Sequence, residues 1–181
     1  GYLLDSKNIT VREAELIQLT IDEKLTSSKI YSSILRLSEL LYKHHGKKVI
    51  VLIDEYDNPI HNAFGKPHHQ EILDSMRDIL SSALKGNDSL QFGVVTGVMQ
   101  IAKESIFSGL NNLEVNNVLS TDFDEMFGFT DGEVMAICDE YGHPEKYAEA
   151  KEWYDGYRFG DADVYNPWSI IRYVNSNFDP Q

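Results

Sequence analysis

Cys138 is the chain's single cysteine, so an internal disulfide framework is excluded and a reducing compartment fits. Long apolar runs are missing too. No stretch approaches the length of a membrane span and no signal peptide opens the sequence, so a cytoplasmic protein without membrane attachment is expected. Positive charge is scarce: 16 Lys and Arg stand against 29 Asp and Glu, a formal net charge of −13. With no basic run anywhere, nucleic-acid backbones and anionic membranes are expected to be repelled, and no direct nucleic-acid binding is predicted. The six histidines make no metal site. His44-His45 and His68-His69 are adjacent pairs, which diverge on a helix. Internal repeats and low-complexity stretches are absent. Gly1 stands where an initiator Met would be, which is expected of a tag remnant or an excised piece.

What remains is ordinary for a soluble globular protein. Hydrophobic residues make up 42% and charged residues 25% of 181 positions, room for one domain with a sizeable core or a domain plus a small appendage. The chain is organised around Lys48-Val49-Ile50-Val51-Leu52-Ile53-Asp54-Glu55-Tyr56-Asp57. An unbroken, mostly β-branched apolar run predicts a strand buried on both faces, as in the middle of a parallel sheet. Asp54, Glu55 and Asp57 follow at its carboxyl end, where open α/β sheets bind ligands. This is the shape of a Walker B element. Mg²⁺ is satisfied by few protein carboxylates and keeps most of its waters, which suits Asp54. Glu55 would then orient or deprotonate a water at a γ-phosphate.

Around this stretch the patterning is that of an α/β unit. Residues 1–28 suggest one or two helices broken near Asn8. Thr26, Ser27 and Ser28 offer N-cap oxygens to a helix over 29–45 that ends at Gly46. Asn58-Pro59 predicts a break and a loop as far as Pro67. A second amphipathic helix carries Ile72, Met76, Ile79, Leu80 and Ala83 on one face and ends at Gly86. It leads into a strand over 90–96, and strand, helix, strand spells a parallel βαβ crossover. Residues 103–113 are expected to be irregular, and 114–119 offer a third strand. Further on, Thr130-Asp131-Gly132-Glu133 is a capping box. A helix from Pro144 to about Tyr154, a small hairpin across 160–163 and a last helix over 167–176 complete the reading.

Other candidates carry weaker chemistry. Asp57 either supports the site as a neighbouring carboxylate or caps the loop beside Pro59. Lys103 and Arg158 are the candidate anion-facing cations; solvated surface charge is the bland alternative for each. Cys138 has no flanking cation and is not expected to be a nucleophile. Ser105 and Ser108 lack a recognisable His and Asp arrangement. Trp153, Tyr154, Tyr157, Phe159, Tyr165 and Trp168 form either a small core or a contact surface for a partner. A direct metal hydrolase would need carboxylates beyond Asp54, Glu55 and Asp57, with Asp122 and Asp124 as the candidates.

Several blocks, taken in order, resemble the predicted AAA-ATPase-like family of bacterial proteins. They are Val51-Leu52-Ile53-Asp54-Glu55-Tyr56-Asp57-Asn58-Pro59-Ile60, Thr96-Gly97-Val98, Ala102-Lys103-Glu104-Ser105-Ile106-Phe107-Ser108-Gly109-Leu110-Asn111-Asn112-Leu113, Phe127-Gly128-Phe129-Thr130, Trp153-Tyr154-Asp155-Gly156-Tyr157-Arg158-Phe159-Gly160 and Val164-Tyr165-Asn166-Pro167-Trp168-Ser169. The resemblance implies a P-loop NTPase core of the additional-strand type followed by a helical or winged-helix-like lid. It implies Asp54 as the Mg²⁺-associated carboxylate and Glu55 as the water-positioning one. Thr96 would be the sensor on the adjacent strand, Lys103 a phosphate-directed cation, and a fused PD-(D/E)XK nuclease-like domain a common companion. One departure is large: the chain contains no G-x-x-x-x-G-K-[ST] loop, and Gly46-Lys47-Lys48 precedes a strand where such a loop precedes a helix.

The expectation is therefore a partial α/β ATPase core over 1–125, with a short, mostly parallel sheet, and a helical lid lobe over 126–181. The parent protein is expected to be a Mg²⁺-dependent ATP hydrolase acting as a switch. This polypeptide alone is expected to bind little or no ATP and, with sheet edges bare, to self-associate. The alternative is a non-catalytic interaction module with a relic acidic site.

Overall fold

A computed structural model describes residues 2–98 and 113–180, without the side chains of Ser27 and Ser28. The chain divides into two compact units, Gly1–Leu113 and Glu114–Gln181, and its architecture is mixed α/β.

In the first unit a 3-10 turn over Tyr2–Asp5 and helix α1 (Val11–Ile21) flank Asn8. Thr10 and Glu13 close a capping box at the start of α1. This N-terminal part is tied to the far end of α3 (Ser33–His45): Asn8 Nδ2 donates to Lys43 O at 3.0 Å, and Lys43 pairs with Glu13. The predicted helix over 29–45 is split. Helix α2 (Ser27–Tyr31) stops at Ser32, whose hydroxyl donates to Lys29 O and competes with the helical ladder. Gly46 closes α3 in the left-handed region at φ 67°, as the sequence pattern requires.

Strand β1 (Val49–Ile53) pairs in parallel with β2 (Leu90–Val95), matching Val51 with Gly93, Leu52 with Val94 and Ile53 with Val95. Between them run α4 (Asn58–Ala63) and α5 (His69–Leu84). The loop predicted after Asn58 is thus corrected to a short helix. Pro59 sits in its first turn, where a missing N–H costs nothing. Leu80 of α5 is wholly buried with Tyr56 and Ile60, and Ile53, Val95, Ile72, Leu73, Met76 and Leu113 pack around them. The expectation of a strand buried on both faces is corrected as well. Ile50 and Leu52 are 51% and 72% exposed, and their cross-strand neighbours Phe92 and Val94 are exposed beside them. Among the described residues the apolar run therefore has one face on the helices and one exposed.

In the second unit the proposed third strand over 114–119 does not form; those residues are irregular and end in a turn. Helix α6 (Asp131–Glu140) starts at the Thr130–Glu133 capping box, and α7 (Tyr147–Tyr154) follows a 3-10 turn over Pro144–Lys146. Strands β3 (Asp155–Phe159) and β4 (Ala162–Tyr165) make an antiparallel hairpin whose turn is the residue pair Gly160-Asp161, shorter than the spacing suggested. Asn166 caps α8 (Pro167–Asn175) by accepting the Ser169 N–H. The core gathers Val134, Cys138, Ala150, Tyr165, Ile170 and Tyr173, so most inward side chains come from α6, β4 and α8. Burial raises the Cys138 thiol pKa, helped by Asp139 and Glu145, which keeps it a packing residue. Among the described residues no helix is long and apolar enough to cross a membrane.

Candidate functional site

The parallel pair does not end abruptly. Beyond the strands, Thr96 N–H donates to Ile53 O at 2.8 Å and Tyr56 N–H donates to Thr96 O at 3.0 Å. This continued pairing brings Asp54, at the end of β1, beside Thr96, at the end of β2. The Thr96 hydroxyl donates to Asp54 Oδ1. Asp54 Oδ1 also accepts the N–H of Glu55 at 3.0 Å. One carboxylate oxygen is thus doubly held, while Oδ2 of this exposed side chain has no hydrogen-bond partner among the described residues.

Glu55 adopts φ 51°, the left-handed region that a long side chain rarely occupies. The kink upsets the alternation of a strand. Asp54 and Glu55 are both exposed, whereas Tyr56 and Asp57 are both buried, at 7% and 4% exposure. The apolar Tyr56 ring locks into the core under α4 and α5, and the two preceding carboxylates are pushed outward together. Asn58 N–H closes the turn on Glu55 O at 3.0 Å. The Asn58 amide reaches Glu55 Oε2 at 3.5 Å and is itself held by Asn62, 2.9 Å away. Asn58 was not among the residues the sequence singled out. Its spacing of three from Glu55 across a helix start was the available signal.

Asp57 does not cap α4 with its side chain. Its Oδ2 accepts the Val98 N–H at 3.0 Å instead. A Cβ at Gly97 would lie 2.5 Å from the Tyr56 ring and 2.8 Å from Asp57 Oδ1, so only glycine fits this close approach. Arg158 pairs with Asp163 at 3.1 Å in the exposed hairpin of the second unit, the pattern of a surface charge. Lys103, Ser105 and Ser108 lie outside the described residues.

The donor set suits a metal that needs few protein ligands. Among the described residues no group of three or more His, Cys, Asp or Glu could hold a metal ion. A closed protein cage is thereby absent from them, and with Asp57 turned to Val98 the direct metal-hydrolase arrangement is not assembled. A single open carboxylate oxygen, with a second carboxylate adjacent, is compatible with a hydrated Mg²⁺.

Comparison with known proteins gives two matches and one blank. The model of a family described as Predicted AAA-ATPase matches residues 5–107. An uncharacterized protein in the vnfD 5'region of Azotobacter chroococcum mcd 1 is 32% identical over 177 residues, covering 94% of this chain and 34% of the relative. The chain therefore spans about a third of the length of the curated relative it matches. No solved structure matches.

Proposed function

This chain belongs to the AAA-ATPase-like family, and from that premise we propose that the end of its parallel pair is the metal-and-water side of a nucleotide pocket. Asp54 Oδ2 would hold a hydrated Mg²⁺, Glu55 would orient the attacking water, and Thr96 would sense the γ-phosphate through its contact with Asp54. Lys103, known here only from sequence, would face the phosphates. The observation that carries this reading is the doubly held Asp54 Oδ1 beside an open Oδ2. It leaves one oriented carboxylate oxygen at a strand end, where a nucleotide-bound metal sits in open α/β sheets.

The longer protein would use Mg²⁺-dependent ATP hydrolysis as a conformational switch, with its phosphate loop contributed by residues other than these 181. Without backbone N–H groups and a lysine to cradle the β- and γ-phosphates, this chain alone should bind ATP weakly. Calorimetry of the chain with ATP and Mg²⁺ is expected to show no micromolar binding; micromolar binding would overturn this division of labour. In a longer family protein that carries the loop, Glu55→Gln should lower kcat about 10²-fold or more with little change in nucleotide affinity. An unchanged kcat would remove Glu55 from its role.

A second reading has its own support. Trp153 and Trp168 are 61% and 69% exposed and Tyr157 is exposed near them in sequence, while Tyr165 is buried. The aromatic cluster is thus split between core and surface, and its outer half has the composition of a partner-binding surface. In that reading the acidic strand end is a relic of the family's site.

A further inference from the structure

The Asp57 carboxylate has no part in the chemistry proposed above, yet it is nearly as buried as the core around it, at 4% exposure. A buried charge is costly unless hydrogen bonds hold it. Capping α4 does not use it. One bond that does is from the Val98 N–H at 3.0 Å, a charge-assisted contact to the segment after β2. The left-handed turn at Glu55 explains how it gets there: it shifts the alternation by one residue and sends Tyr56 and Asp57 inward together. Gly97 is pressed against both of these side chains, with no room for a Cβ.

We propose that Asp57 is a positioning residue: its carboxylate fastens residues 97–98 to the kinked end of β1 and thereby sets the Thr96 hydroxyl against Asp54. The inference rests on the reading of Asp54 and Thr96 as the metal and sensor side of the site. Backbone bonds already hold Thr96 from Ile53 O and to Tyr56 N–H. Taken alone, these are the last bonds of a two-stranded ladder, where fraying is fastest. The Asp57 clamp lies beyond them. With it Thr96 becomes an interior position, and its side chain keeps one direction, toward Asp54.

Amide exchange on the ¹⁵N-labelled 181-residue chain tests this. Asp57→Ala should speed exchange about ten-fold or more at Val98 and Tyr56. Val49, whose N–H donates to Ser89 O at the opposite end of the pair, should be little changed. Asp57→Asn keeps an oxygen that can accept from Val98 and should recover most of the protection. Mn²⁺ serves as the metal probe, read by paramagnetic broadening at the Asp54 and Glu55 amides. Loss of an outer partner should raise the Mn²⁺ needed about ten-fold in Asp57→Ala, with Asp57→Asn close to the parent. Equal acceleration at Val49 would mean that Asp57 only stabilises the fold, and unchanged exchange at Val98 and Tyr56 would mean it fastens nothing; either overturns the proposal. If Asp57→Ala does not fold, Asp57→Asn decides, and its failure to protect Val98 overturns it equally. Absence of broadening in the parent chain would sink the metal reading, and the exchange pattern would still judge Asp57.

Discussion

Glu55 holds a left-handed backbone at φ 51° without the freedom of glycine. Such a residue costs about 1–3 kcal/mol and persists only where its surroundings demand it. The demand here is visible: Tyr56 must enter the core, Asp54 must meet Thr96, and both follow from the turn between them. Glu55→Gly should therefore raise stability, by about 1 kcal/mol, as a shift in the urea midpoint. A fall in the midpoint would show that the Glu55 side chain contributes more through Asn58 than the backbone loses. Cysteine was readable at this scale, since Cys138 packs in the core. The direction of Asp57 was not, because the alternation that would predict it is broken at Glu55.

At the scale of elements, α6 shows how a helix start organises the second unit. Thr130 and Glu133 satisfy its first turn reciprocally. Asp131, next along, accepts from Tyr147 OH at 2.8 Å, from Lys151 at 2.9 Å and from Tyr165 OH, gathering α6, α7 and β4 on one carboxylate. The Tyr165 hydrogen bond first, then Lys151 and Tyr147, hold its pKa down at about 2, against an ordinary value of 3.8. A carboxylate depressed on folding adds stability above its unfolded pKa and loses it as pH falls through the folded one. Stability should thus decline from about pH 4 toward pH 2. Trp153 and Trp168 are the chain's two tryptophans and both lie in this unit, so their fluorescence follows it. Asp131→Asn should flatten the acid limb of that signal; an unchanged limb would assign it to other carboxylates. Thr130→Ala should cost about 1 kcal/mol by the same probe. The capping box was legible because its chemistry is local. The split at Ser32, where a hydroxyl competes with the helical ladder, the helix after Asn58 and the irregular stretch over 114–119 were not.

For the whole molecule two physical effects oppose each other. Ile50, Leu52, Phe92 and Val94 form an exposed apolar face across both strands of the parallel pair. A net charge of −13 keeps copies apart. Charge repulsion is screened over a few ångströms at high ionic strength while apolar attraction is not. We predict self-association that grows with salt, seen as a rising mass-average by sedimentation between about 20 mM and 1 M NaCl. Leu52→Lys should suppress it. A chain that stays monomeric at high salt and high concentration would count against the prediction.

The sequence by itself determined the parallel order of the two strands, the helix between them, the helices and hairpin after Gly128 and the acidic strand end. These follow from periodicity, turn chemistry and composition, which act over a few residues. It also showed that no phosphate loop lies within these 181 positions. Only the tertiary structure decided which carboxylate faces outward, which one clamps Val98, and that one face of the sheet is exposed among the described residues. Those outcomes depend on a single backbone torsion at Glu55 and on which surfaces find a covering element. Side-chain pattern along one strand carries neither.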